Sequence, residues 1–164
     1  MYNYKLRIMN SDIRKRWGLF LITEFVLAQV IDGAWGVFFV WITFLFWELW
    51  YLMVLDGVRA KAEKHYNDIA GRFKLSVGLI MAIETVFSVM SVVVMFVPSA
   101  FSATVMGVAH AVRFLAHSVL FIWQISMLMN ALAATMTPEQ YKNERGRIVL
   151  SLVFAPIGAL TMHN

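Results

Sequence analysis

The 164 residues include no cysteine, three prolines and nine glycines, and only ten are acidic. Each scarcity removes a class of protein. Without cysteine there is no disulfide scaffold, thiolate metal cluster, CxxC redox motif or cysteine nucleophile. Proline and glycine at this level exclude collagen-like and linker-like chains. Charged residues make up 15% of the chain, below the roughly 25% of globular domains, and a disordered chain is richer in charge still. No Walker loop, GxGxxG, GxSxG or HExxH pattern occurs, so nucleotide-driven transport and the motif-bearing hydrolases have no support.

What is abundant is apolar surface, with 60% of residues hydrophobic and 15% aromatic. A single core of this size cannot hide so many large side chains from water, so the solvent for most of the chain is lipid. The expected fold is an all-α integral membrane protein: one polytopic domain over 1–164, a bundle of four transmembrane helices, and a short C-terminal apolar segment that is a candidate fifth.

The basic residues behind the net charge of +4 fall in three clusters: Lys5, Arg7, Arg14, Lys15 and Arg16; Arg59, Lys61, Lys64, Arg72 and Lys74; Lys142, Arg145 and Arg147. Only Arg113 stands apart. Set between apolar runs, they read as topology signals and neighbours for anionic lipid headgroups, with no nucleic-acid partner implied. If short positive loops stay cytoplasmic, all three clusters share one side, and an even number of crossings separates each from the next. The N-terminus and the basic loops 59–74 and 139–147 are then cytoplasmic.

The stretch 17–58 has no basic residue; as one helix it would measure about 63 Å, twice the hydrocarbon thickness. Two crossings fit, 17–31 and 35–58, broken at Asp32-Gly33-Ala34-Trp35-Gly36 where glycine permits turn conformations. The first crossing reads as an uncleaved signal-anchor, because Glu24 interrupts the apolar run and no clear cleavage site follows. A third span at 75–97 and a fourth at 101–134 flank Pro98-Ser99, and Thr137-Pro138-Glu139 marks the end of the fourth or the cap of a short following helix. The segment 148–162, with Pro156 and Gly158, can cross, re-enter or lie at the interface.

Polar side chains inside apolar spans carry the information, because a charge at the bilayer centre costs from about 2.5 to more than 10 kcal/mol. The four spans contribute Glu24, Glu48, Glu84, and His110, Arg113, His117 and Gln124. Counting from the nearest basic cluster places the three acids roughly 12–17 Å deep, which suggests one shared layer. His110, His117 and Gln124 recur every seven residues and Arg113 lies three beyond His110, so one face of the fourth span is polar. That predicts a central fourth span with the acids turned toward it.

Three roles follow for this Glu/His/Arg layer. It can stabilise assembly of a small accessory subunit within a larger membrane complex, packed against other integral subunits. It can relay protons or bind a cation in a channel or transporter subunit. It can be a redox site in which His110 and His117, with Glu48 and Glu84, hold a metal, haem or pigment. Assembly is the leading expectation, and no catalytic residue is assigned. Three glutamates against one arginine leave excess negative charge that assembly alone does not explain. Against the metal role, histidines seven apart on a helix are about 10 Å distant along its axis.

The remaining features have structural readings. Trp35, Trp41, Trp47, Trp50 and Tyr51 suit interfacial anchoring, with a pigment, quinone or lipid groove as the sharper alternative. The scattered methionines fill packing gaps. Gly78, Ala82 and Ser88, and Gly107, Ala111 and Ser118, approximate close-packing faces. Glu63, His65 and Asp68 fit a solvated helix, and bound lipids are expected.

Overall fold

The computed structural model describes residues 31–59, 61–97 and 100–154, together with isolated positions between 16 and 30. The described residues form four helices and no strand: α1 (Gly33–Arg59), α2 (Glu63–Phe96), α3 (Ala100–Ala133) and α4 (Pro138–Val153). The first three are long and apolar enough to cross a membrane. Glu24, the Pro98-Ser99 turn, most of the expected span 17–31 and the 155–162 part of the C-terminal segment lie outside the described residues.

α1 begins where the glycine pattern predicts. Gly33 has φ +73, a left-handed conformation that glycine adopts without steric penalty. At Gly36, a Cβ would overlap the carbonyl oxygen of Ile31, so the chain entering α1 passes too close for any side chain. Ile31 itself still donates its N–H to the Leu27 carbonyl at 2.9 Å.

α2 differs from expectation. The third span and the basic loop before it form one uninterrupted helix of 34 residues, about 51 Å long. Between Glu63 and Leu75 there is no proline and only one glycine, Gly71, so no strong breaker stops the helix in that stretch. The basic residues Lys64, Arg72 and Lys74 therefore ride on an extension of the apolar helix.

α4 starts at a capping box. Thr137 Oγ1 accepts from the Gln140 N–H at 3.3 Å and Gln140 Oε1 accepts from the Thr137 N–H at 3.1 Å, with Pro138 opening the first turn. This satisfies two amides that helix geometry leaves orphaned. The helix runs from 138 to 153, whereas the sequence suggested an apolar segment from 148; its first two turns are polar, with Glu139, Lys142 and Glu144 exposed.

Within the spans, hydroxyls return to their own helices. Thr43 donates to the Phe39 carbonyl at 2.9 Å, Ser76 to Phe73 at 2.7 Å, Thr85 to Met81 at 2.7 Å and Ser91 to Phe87 at 2.9 Å. Such bonds give the hydroxyls partners within their own apolar helices.

Packing is concentrated at the basic end. Trp50, Tyr51, Val54, Leu55 and Val58 of α1 recur on one face, and meet Phe73 of α2, Leu128 and Leu132 of α3, and Ile148 and Leu152 of α4, forming one buried cluster. The opposite ends of α2 and α3 expose Val86, Val93, Phe96, Val108, Val112, Leu115 and Val119. α2 packs extensively on both α1 and α3, and α3 meets all three of the other described helices. Glu84 of α2 and Glu48 of α1 both turn toward the polar stripe of α3, the arrangement the sequence suggested for the fourth span.

Candidate functional site

The polar stripe of α3 sorts its neighbours by helix. Arg113 projects toward α2, where its Nε donates to Glu84 Oε1 and Oε2 at 3.0 and 3.1 Å and its Nη2 donates to Oε2 at 2.6 Å. His117, one turn further along, places Nδ1 3.1 Å from Glu84 Oε1. Glu84 is fully buried, while the Arg113 side chain keeps 20% exposure. A carboxylate gripped this way is charge-matched and directionally bonded, the geometry in which a buried ion pair is tolerated.

Two aromatic rings complete the setting. The guanidinium carbon lies 4.3 Å from the Phe87 ring centroid and 5.4 Å from that of Phe44, within range of favourable cation–π contact. The Phe44 ring also packs against His117, with centroids 4.8 Å apart. Neither phenylalanine stands out in the sequence. Helical spacing was the available signal, since Phe87 lies three residues after Glu84 and Phe44 four before Glu48, on the faces already identified.

Glu48 belongs to a separate site. Its Oε2 accepts from Gln124 Nε2 at 2.7 Å, and both residues are buried. Gln124 is seven residues beyond His117, so the two sites lie about 10 Å apart along α3. The single layer suggested by counting from the basic clusters is therefore two tiers. Glu48 is paired across to α3 at a level nearer the basic end than Glu84, because it lies eleven residues from the end of α1 at Arg59 whereas Glu84 lies twenty-one residues from the start of α2 at Glu63. Among the described residues, Gln124 Oε1 has no hydrogen-bond partner, and neither has Trp50 Nε1.

His110 stands apart from both tiers. It is exposed on α3, and its ring meets Phe87 edge-on at 4.4 Å between centroids. Of the residues considered as metal ligands, His117 and Glu84 are brought together, while His110 and Glu48 are directed elsewhere. Among the described residues no group of three or more histidine, aspartate or glutamate side chains could hold a metal ion.

The aromatic residues of α1 do more than anchor. Trp41 Nε1 donates to Thr85 Oγ1 at 2.9 Å, a link between α1 and α2. Trp47 Nε1 donates to the Tyr51 hydroxyl at 2.9 Å, and that hydroxyl donates to the Leu152 carbonyl at 2.6 Å. Trp35, by contrast, is 69% exposed, as an anchor in lipid or at its interface would be.

Two open grooves flank the α2 helix. One, of about 510 Å³, lies between α2 and α3 and includes Arg113 in its wall; the other, of about 350 Å³, lies between α1 and α2 beside Trp41 and Thr85. The site as a whole ties three apolar helices through charge-assisted bonds and leaves an imidazole and part of a guanidinium at the surface. No family model matches the chain, and no curated protein or solved structure is significantly similar to it.

Proposed function

We propose that this chain is a small polytopic subunit of a larger membrane complex, set in the bilayer with its basic end in the cytoplasm, and that the free face of α3 receives a neighbouring integral subunit. The observation that carries this reading is His110. Its imidazole is exposed on a helix whose most apolar stretch is left unburied among the described residues. A polar ring on a lipid-facing surface near mid-membrane is costly, and such residues characteristically face protein or a water-filled cavity. The Glu84–Arg113–His117 and Glu48–Gln124 contacts support the same reading from within, since they hold α3 in the orientation that presents His110.

An ion-translocating subunit draws less support. The two polar tiers are separated by about 10 Å along α3, and Phe121 lies between their α3 residues, with its ring 6.3 Å from that of Tyr51. A redox subunit would need a ligand set that the described residues do not bring together.

The test is site-specific photo-crosslinking in native membranes, with benzoylphenylalanine at Ala111, beside His110, and at Leu75 of α2 as the comparison. The proposal expects a discrete protein adduct from Ala111 that is absent from Leu75 and weakened by His110→Leu. Adducts to lipid alone, with a chain that purifies by itself from gentle detergent, would overturn it.

A further inference from the structure

The groove between α2 and α3 combines three properties that separate it from an ordinary lipid-facing furrow. Its volume, about 510 Å³, falls in the range of about 300–1,000 Å³ typical of small-molecule sites. Its wall is apolar apart from one group: Ala82 and Phe87 on one side and Ala109, Val112 and Ala116 on the other surround Arg113. And that group has donors to spare. The bonds to Glu84 use Nε and Nη2, while Nη1, with two N–H groups, has no acceptor among the described residues.

The charge of Arg113 is already matched by Glu84, so the groove does not call for an anion. What it lacks is a neutral oxygen acceptor. The required molecule has an apolar body and a carbonyl at one end, and it reaches the groove from within the membrane. Depth narrows the class. Arg113 sits thirteen residues into α3, about 20 Å along it, and Glu84 lies ten residues beyond Lys74, about 15 Å along α2. Phospholipid headgroups and their ester carbonyls remain near the interface, outside the hydrocarbon core of about 30 Å. A ring carbonyl on an isoprenoid or alkyl tail can reach this level.

We infer that the α2–α3 groove is a binding site for a membrane-dissolved quinone, with one ring carbonyl accepting from Arg113 Nη1 and the tail lying along the groove between α2 and α3. The alanines matter because they leave the space. The Phe87 ring, already against the guanidinium at 4.3 Å, supplies an aromatic wall for the quinone ring. The inference concerns binding and requires no electron transfer; it does not rest on the assembly proposal, although the His110 ring packs against the outer side of the same region through Phe87.

The experiment uses the full chain in phosphatidylcholine nanodiscs with decylubiquinone as probe, measuring the quinone retained after gel filtration against empty discs. Saturable retention near one per protein is expected, with decylbenzene, which has ring and tail but no carbonyl, failing to compete. Ala109→Leu, which fills the groove without touching the ion pair, should abolish retention. Arg113→Lys, which keeps the charge for Glu84 but loses the Nη1 donors, should weaken it roughly tenfold, the effect of losing one hydrogen bond to a charged donor.

Equal retention of decylbenzene would show the groove to be filled by any apolar molecule and would overturn the inference. So would retention unchanged in Ala109→Leu, or a benzoylphenylalanine at Val112 that captures a partner helix while decylubiquinone is not retained. Thermal melting accompanies each variant, and if Ala109→Leu does not fold, the decylbenzene comparison on the unaltered chain decides.

Discussion

The Tyr51 hydroxyl and the Leu152 carbonyl are joined at 2.6 Å across 101 residues of sequence. This bond links α4 to α1 beside the apolar contacts of Ile148 and Leu152, and both residues are buried. Tyr51→Phe keeps the ring in the cluster but leaves the carbonyl and the Trp47 N–H without their partner. We expect a loss of about 1–2 kcal/mol, with amide exchange accelerating first at 148–153 in hydrogen–deuterium exchange. Unchanged protection there would mean that apolar contacts alone hold α4.

The ion pair between α2 and α3 predicts a non-additive pattern. Arg113→Leu leaves Glu84 buried without its counter-charge and should cost about 3 kcal/mol. Glu84→Leu strands the guanidinium, with a somewhat smaller effect because Arg113 is partly exposed. The double variant should be more stable than either single one, since two apolar side chains of similar volume replace the pair without an orphan. Unfolding in mixed detergent micelles measures all three, and simple additivity would show that the residues do not act together.

Glu48 and Gln124 should respond asymmetrically. Glu48→Gln retains an oxygen for Gln124 Nε2 and is expected to change stability by less than about 1 kcal/mol. Gln124→Leu removes the donor bonded to Glu48 and should cost about 1–3 kcal/mol. Should the two substitutions be equally damaging, the carboxylate would have a role beyond this bond.

Two glycines give opposite predictions for the same substitution. Gly36→Ala places a methyl against the Ile31 carbonyl and should cost about 1–3 kcal/mol as the turn and α1 shift apart. Gly71→Ala points into open space on the exposed part of α2 and should stabilise the helix by about 0.5–1 kcal/mol. Thermal melting of the two variants side by side checks the sign.

Periodicity and punctuation made the helices legible. The Asp32-Gly33 break, the Pro138 start and the apolar runs each correspond to a boundary of the described helices within a few residues. The joining of 63–74 to the third span was not legible, since a change from polar to apolar composition carries no information about whether a helix ends. Of the site, the residues were readable but their partnering was not. Counting depth from the nearest basic residue assumed that every helix leaves the membrane at its basic cluster. α1 ends at Arg59 and α2 starts at Glu63, so Glu48 lies eleven residues from that end of the hairpin and Glu84 twenty-one, which puts them in different tiers. Phe44 and Phe87 escaped notice because an apolar ring in an apolar span has no contrast until the guanidinium it covers has been located.

The 29 residues between Glu84 and Arg113 also set an order in time. A chain made from its N-terminus at about 5–20 residues per second presents the acid roughly 1.5–6 s before the base that neutralises it. During that interval the α1–α2 hairpin carries two acids, Glu48 and Glu84, whose α3 partners have not yet been made. A hairpin in that state is poorly suited to lipid on its own. Retention of α2 beside the insertion machinery until α3 arrives would turn a pairing of charges into a checkpoint for membrane integration.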